Sequence, residues 1–172
     1  MKNNIILIGF MGSGKTTIGK RLAQILEYQF IDTDAYIEQQ MNLTVKEIFT
    51  MHSEEYFRRL ETETIKELKN NTTNTIIATG GGLALREENA LLLKQLGMVI
   101  FLQVGKDEVL NRLSSDTTRP LLQGENVEQK VAELLAYRNP KYSVAADYII
   151  CVDGRSKEQI ISEVQKLLKK QL

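Results

Sequence analysis

The chain of 172 residues is predicted to fold as an α/β protein around a parallel sheet. Short apolar runs, the first of them residues 5–8, alternate with longer stretches in which apolar residues recur at helical spacing. A glycine-rich stretch follows the first run directly, as is typical of a turn from a strand into a helix. Five such runs separated by helices predict a parallel sheet that is covered on both faces.

The amino-terminal part is predicted to hold three strands. The first strand covers 5–8, and apolar residues at helical spacing carry the next helix from the glycine motif to about Glu27. A second short strand covers 28–32. Helical pieces then follow at 34–41, after a capping box formed by Thr44 and Glu47, and from Ser53 to about Lys69. The third strand, 75–79, runs into three glycines.

The carboxyl-terminal part continues the alternation. Its predicted elements are a helix at 87–96, a strand at 98–104, a helix at 106–114, a polar loop at 115–126, a helix that reaches Arg138, a strand at 148–152 and a terminal amphipathic helix capped by Ser156 and Gln159. Ligands of such a sheet bind at the carboxyl ends of the strands. The glycine clusters, an Asp pair and several arginines fall there in the sequence.

Composition narrows the class of protein. Lys plus Arg and Asp plus Glu are equal at 22 each, so no basic excess indicates nucleic acid or an anionic membrane as a partner. The single Cys151 cannot form an intramolecular disulfide, which fits a reducing compartment such as the cytoplasm. The length suits one domain, residues 1–172. No conspicuous apolar surface stripe is present, so a monomer is expected.

The opening residues allow one competing interpretation, since Lys2 and the apolar run after it faintly resemble a short signal peptide. No small-residue cleavage site follows, and cleavage would discard the glycine motif. No other stretch approaches the roughly 18 apolar residues of a membrane span. We therefore expect a strand here rather than a leader.

The glycine motif predicts nucleotide binding. Gly9 and Gly14-Lys15-Thr16 have the spacing of a phosphate-binding loop between a strand and a helix. Small residues let backbone N–H groups turn toward phosphates, and the helix amino terminus adds a positive end. Lys15 supplies a cation for the β and γ phosphates and Thr16 a hydroxyl for Mg²⁺. The expected ATP-binding loop residues are Gly12, Ser13, Gly14, Lys15, Thr16 and Thr17. The alternative is a glycine-rich turn that binds nothing.

Asp32 and Asp34 close the second strand. If extended geometry persists through them, both carboxylates point to one face. Asp32 could then orient Mg²⁺ through its water ligands, and Asp34 could take a hydrogen bond or a proton from an acceptor hydroxyl. The alternative is that one of them only caps the next helix.

Arginines and glycines complete the candidate site. Arg58 and Glu61 flank the apolar stripe of one helix, with Glu54 four residues before Arg58; a solvated salt-bridge face would look the same. Three consecutive glycines, 80–82, allow close approach of backbone to a ligand. Arg119 lies in a loop that could close over phosphates or could be an ordinary connection, and Arg138 could merely ease the negative end of its helix.

Together these stretches resemble the shikimate kinase family. The resemblance covers the whole chain and rests on "GFMGSGKTT", "DTD", "EEYFRRLE", "TGGG", "RPLL" and "YRNPKYSVAAD". It implies ATP-dependent phosphorylation of the 3-hydroxyl of shikimate, giving shikimate 3-phosphate and ADP, in aromatic amino acid biosynthesis. It also implies a P-loop kinase fold with strand order 2-3-1-4-5, a mobile lid over about 112–126 and a helical substrate-binding segment over about 33–61.

The resemblance assigns roles by position. The implied shikimate-binding residues are Asp34, Arg58, Gly80, Gly81, Gly82 and Arg138, with Asp34 toward the ring hydroxyls and the two arginines toward the carboxylate. Arg119 matches the lid arginine that reaches the phosphates and acts in catalysis with Lys15 and Asp34. Arg112 matches a position that packs on adenine, with the loop of Arg155 on its other side. Mg²⁺ is the implied cofactor, held by Thr16 and, through water, by Asp32.

The sequence departs from the family pattern at Ser53, where the family often has glycine. A serine can cap the helix that carries Arg58, so we expect that helix to keep its place. Two other functions remain open: a kinase of another small hydroxy acid such as gluconate, and a nucleotide-binding regulatory module without activity. Release of ADP over a panel of hydroxy acids would discriminate them.

Overall fold

The computed structural model describes residues 3–114 and 126–170. Within these ranges the centre of the molecule is a five-stranded sheet in the order β2-β3-β1-β4-β5, and all paired neighbours run parallel. The predicted fold class and strand order are confirmed. The strands are β1 (Ile5–Ile8), β2 (Gln29–Asp32), β3 (Thr75–Ala78), β4 (Met98–Gln103) and β5 (Tyr148–Cys151).

Helices connect the strands and cover the sheet. In the described ranges they are α1 (Lys15–Leu26), α2 (Thr33–Met41), α3 (Val45–Met51), α4 (Glu54–Asn71), α5 (Glu87–Leu96), α6 (Lys106–Leu113), α7 (Val127–Ala145) and α8 (Lys157–Lys169), with a short 3₁₀ turn at Leu83–Leu85. None of the helices in the described ranges is long and apolar enough to cross a membrane.

Two apolar clusters hold these elements together. The main core surrounds β1, whose four residues are at most 2% exposed, and it joins β3 and β4 to the helices on both faces. A smaller cluster of Ile37, Ile48 and Phe57 packs α2, α3 and α4 against each other. The helical segment at 33–61 thus has apolar packing of its own beside the sheet.

The start of α2 differs from the expectation of continued extended backbone. The strand ends at Asp32, and the helix begins at Thr33 rather than Asp34. Asp32 is the N-cap of α2, because its Oδ1 accepts hydrogen bonds from the N–H groups of Asp34 (3.1 Å) and Ala35 (3.3 Å). The two carboxylates are therefore brought to one site by a helix start and not by a shared strand face.

The helix that was expected to reach Arg138 continues to Ala145. Pro140 lies inside it and cannot donate the helical hydrogen bond. Tyr142 and Ala145, one and two turns beyond Arg138, are fully buried. Their packing outweighs the local cost of the proline, which a propensity argument alone does not anticipate.

Candidate active site

One large cleft lies at the carboxyl ends of the strands, with a volume of about 1420 Å³. Residues from the glycine motif, α2, α4, the glycine turn at 80–82, α6, α7 and the start of α8 line it. The expected site residues that it brings together are Gly12, Gly14, Lys15, Thr16, Thr17, Asp32, Asp34, Arg58, Gly80, Gly81, Gly82, Arg112, Arg138 and Arg155. Arg119 and most of the expected lid lie outside the described residues.

The glycine motif forms a tight loop between β1 and α1. Gly14 has a φ of +96°, a conformation that favours glycine, and it caps α1 without any side-chain hydrogen bond. Residues 14–17, which form the amino terminus of α1, line the cleft, so the positive end of a helix lies beside it, as anion binding requires. Lys15 Nζ donates to the carbonyl oxygens of Gly9 (2.8 Å) and Phe10 (2.9 Å). Ser13 does not line the cleft, and its side chain is fully buried.

Thr16 and Asp32 place two oxygen groups beside the loop. Thr16 Oγ1 donates to Asp32 Oδ2 at 2.9 Å, while the other oxygen of Asp32 caps α2. No cluster of three acidic, His or Cys side chains that could hold a metal ion occurs in ranges 3–114 and 126–170. A cation held by Thr16 and Asp32 would therefore take its remaining ligands from phosphate and water, which suits Mg²⁺.

Asp34 holds a carboxylate in a tight space. A Cβ built on Gly80 would collide with its Oδ1, which is buried and has no hydrogen-bond partner within residues 3–114 and 126–170. Burial, assisted by the nearby Asp32 charge, raises the pKa of Asp34 from 3.8 to about 6. The group is thus still ionised at neutral pH but readily accepts a hydrogen bond or a proton from a hydroxyl.

Two carboxylates of its own helix hold the Arg58 guanidinium. Arg58 Nη1 donates to Glu61 Oε2 at 2.8 Å and Nη2 donates to Glu54 Oε1 at 3.0 Å. A Cβ on Gly82 would collide with the same guanidinium. Arg58 is therefore fixed against the glycine turn and does not belong to a solvated salt-bridge face.

Glu61 is a site residue whose burial the sequence argument missed. Its side chain is fully buried, and burial raises its pKa to about 7 although Arg58 opposes the shift. One signal was available: Glu61 follows the buried Phe57 by four residues and precedes Ile65 by four, so it lies on the inward stripe of α4. A charged residue on such a stripe needs a partner, and Arg58 is that partner.

Arg138 reaches the glycine turn from the other side. Its guanidinium carbon lies 5.5 Å from the centroid of the Phe10 ring, and a Cβ on Gly81 would lie 3.5 Å from its Nη1. Its Nε is buried and has no hydrogen-bond partner among the described residues. Two arginines thus converge on neighbouring glycines, an arrangement that suits bidentate binding of a carboxylate.

The remaining expected cations lie on the side of the glycine motif. Arg112 Nη1 donates to the Gly12 carbonyl oxygen (2.8 Å), and its Nε donates to Glu108 (2.6 Å). Arg155 donates to the Cys151 carbonyl oxygen at 3.0 Å and pairs with Glu163. Ser53 caps α4 through the N–H of Tyr56 at 3.1 Å, so the departure from the family pattern leaves the helix of Arg58 in place, as expected.

Comparisons with known proteins agree with this geometry. The family model for shikimate kinase matches residues 11–169. A shikimate kinase from Moorella thermoacetica is 43% identical over 98% of this chain and 96% of its own. A solved shikimate kinase from Acinetobacter baumannii in complex with shikimate is 37% identical, with a TM-score of 0.90 over 99% of this chain and 95% of that one.

A gluconokinase from Sinorhizobium meliloti has the same fold, with a TM-score of 0.62 over 99% of this chain and 97% of that one. At 15% identity the likeness shows the fold alone. It gives no support to gluconate as the substrate. The family match and the high identity over nearly the whole chain show that this protein belongs to the shikimate kinase family.

Proposed function

We propose that the cleft transfers the γ-phosphoryl group of ATP to the 3-hydroxyl of shikimate, and that its residues act as follows. The protein is a kinase that phosphorylates shikimate in the aromatic amino acid pathway, as its family does. The observation that carries the assignment of residues is the convergence of Arg58 and Arg138 on Gly82 and Gly81. Two guanidinium groups there favour an acceptor with a carboxylate.

The nucleotide half of the cleft is the glycine motif. Backbone N–H groups of residues 12–17 bind the phosphates at the amino terminus of α1, and Lys15 exchanges its carbonyl partners for phosphate oxygens. Thr16 and Asp32 are the residues that would hold Mg²⁺, Asp32 through water, and the ion would neutralise phosphate charge. Arg112 and Arg155 flank the adenine, since both line the cleft beside the loop.

The acceptor half is built from α2, α4, the glycine turn and α7. Arg58 and Arg138 bind the carboxylate of shikimate, and the Gly82 N–H adds a donor. A side chain at 80 would collide with Asp34, and one at 82 would collide with Arg58. Asp34 accepts a hydrogen bond from the 3-hydroxyl and orients its oxygen toward the phosphate. Phosphoryl transfer requires little covalent chemistry from the protein, so catalysis comes from positioning the reactants and neutralising charge.

We further propose that residues 1–172 act as one domain, a cytoplasmic monomer that takes ATP and shikimate and no nucleic acid. The segment 33–61 holds the acceptor, which its own apolar cluster supports. Arg119, from a lid over about 112–126, brings a further cation to the transferred group.

A substrate panel tests the proposed function. ADP release is measured with shikimate, quinate, gluconate and no acceptor. We expect kcat/KM for shikimate to exceed that of every other acid at least about 100-fold, because a site built around one planar acid and its ring hydroxyls rejects acids whose hydroxyls or carboxylate lie elsewhere. Equal rates with gluconate would contradict the acceptor assignment, and release of ADP that no acceptor accelerates would indicate a module without kinase activity.

A further inference from the structure

Side chains from three helices hold alternate peptide groups of the glycine turn and of the residue that follows it. Thr33 Oγ1 on α2 accepts a hydrogen bond from the Gly80 N–H at 3.0 Å. The hydroxyl of Tyr142 on α7 donates to the Gly81 carbonyl oxygen at 2.5 Å, and Asn89 on α5 donates to the Leu83 carbonyl oxygen at 2.9 Å. All three side chains are at most 1% exposed. The turn is therefore held from the core and is not a free loop.

The hydrogen bond from Tyr142 fixes the orientation of the peptide group between Gly81 and Gly82. The Gly81 carbonyl and the Gly82 N–H belong to one planar peptide, and no cis peptide bond occurs in the described residues. In a trans peptide these two groups point in opposite directions. Because Tyr142 holds the carbonyl toward the core, the Gly82 N–H is directed away from the core. The same residue lies against the Arg58 guanidinium, which a Cβ on Gly82 would meet.

Tyr142 lies on the same helix as Arg138, the second arginine beside the glycine turn. The two side chains stand four residues apart on α7, so they share one face of the helix. Arg138 lies over Phe10 and next to Gly81, while the Tyr142 ring packs on Phe101 with centroids 5.1 Å apart. One helix thus carries both the cation and the side chain that holds the turn beside it.

The hydroxyl is suited to this role at all physiological pH values. Burial raises the pKa of Tyr142 above its ordinary value of 10, so the group stays protonated and donates. A buried tyrosine could satisfy its hydroxyl on many carbonyls. Here the acceptor is the carbonyl between the two glycines that the arginines face.

We propose that Tyr142 is a positioning residue for the substrate acid. Its hydroxyl sets the Gly81–Gly82 peptide so that the Gly82 N–H, Arg58 and Arg138 address the same carboxylate. This inference rests on the proposed function, because it assumes that the substrate carboxylate binds at the turn. The competing interpretation is a purely structural hydrogen bond, which would affect stability but not the affinity for one substrate.

Tyr142→Phe tests the proposal, since the ring still fills its space and only the hydroxyl is removed. We expect KM for shikimate to rise about five- to tenfold, the effect of one neutral hydrogen bond, while KM for ATP stays within twofold. Binding of shikimate alone, measured by calorimetry, weakens by the same factor. The split between the two substrates is the readout that a structural role does not give.

Thr75→Val is the matched control. It removes another buried hydroxyl, which donates to the Thr73 carbonyl oxygen at 3.0 Å, at the opposite end of β3 from the turn. Its melting temperature should fall as in Tyr142→Phe, with both KM values unchanged. Unchanged shikimate KM in Tyr142→Phe, or equal rises in both KM values, would overturn the proposal. Failure of the wild-type protein to phosphorylate shikimate would instead overturn the proposed function.

Discussion

Asp34 is a buried carboxyl group, and the role proposed for it requires its charge. The fold raises its pKa to about 6, so the folded chain binds a proton that the unfolded chain would already have released above about pH 4. The stability that the neutral form contributes is therefore lost as the pH rises through about 6. In the proposed function the ionised form accepts the hydrogen bond of the hydroxyl, so activity and stability would favour opposite protonation states of Asp34.

The pH profile of kcat/KM for shikimate should show whether activity requires ionised Asp34. We expect an acidic limb with an apparent pKa near 6, because protonated Asp34 cannot accept the hydroxyl hydrogen bond. Glu61, whose pKa is about 7, titrates close by and contributes to the same limb through Arg58. In Glu61→Gln the limb near pH 6 should remain. A limb near pH 4 in both proteins would contradict the role of Asp34.

Replacement of Arg58 should weaken the binding of shikimate and leave the binding of ATP nearly unchanged. Arg58→Ala removes one half of the carboxylate clamp and leaves the buried Glu61 without its partner, so we expect KM for shikimate to rise at least about 100-fold while KM for ATP changes little. Steady-state kinetics with each substrate varied give both values.

Arg59→Ala is the matched control for Arg58→Ala. Arg59 is exposed on the same helix and lies over the Tyr56 ring, so its removal should leave both KM values unchanged. In Lys15→Ala we expect the opposite result: turnover is abolished, but shikimate still binds. Normal shikimate affinity in Arg58→Ala would exclude the clamp.

At the scale of elements, the glycine turn is defined by what surrounds it. Gly80 faces Asp34 and Gly82 faces Arg58, each too closely for a Cβ, whereas Gly81 leaves ordinary contact distance to Arg138. Gly82 has a φ of −89°, which any residue adopts. Its glycine is therefore needed for the space it leaves and not for its backbone conformation.

Gly82→Ala should displace the end of the Arg58 side chain without unfolding the turn. We expect KM for shikimate to rise about tenfold or more, with the melting temperature changed by only about 2 °C, because a flexible side chain can move at little cost. Gly81→Ala is the comparison and should have the smaller kinetic effect. If the two variants behave alike, the close approach of Arg58 to Gly82 does not matter for binding.

Elements with strong local signals were predictable from the sequence. The continuous apolar strands, the glycine motif and the capping boxes at Thr44 and Ser156 appear where local chemistry places them. The end of α7 was not predictable, because Pro140 argues locally for a stop and only the packing of Tyr142 in the core continues the helix. The predicted start of α2 was wrong because an aspartate such as Asp32 can either end a strand or cap a helix, and the local sequence does not decide between the two.

At the scale of the whole molecule, the sequence and its family resemblance placed the two halves of the site but not the contacts that support them. The hydrogen bond between Tyr142 and Gly81 joins residues 61 positions apart in the sequence. A second hydrogen bond, from the Thr62 hydroxyl to Asn89 Oδ1, joins α4 to α5. Such pairs have no local pattern. They form only when the tertiary fold brings distant parts of the chain together.

The central claim is that two arginines, held on separate helices, meet one carboxylate beside the nucleotide loop. A crystal structure with ADP and shikimate bound tests it most directly. We expect guanidinium nitrogens of Arg58 and Arg138 within about 3 Å of the carboxylate oxygens and Asp34 on the ring hydroxyl nearest the nucleotide. A structure in which shikimate binds elsewhere, with both arginines directed into bulk water, would contradict it.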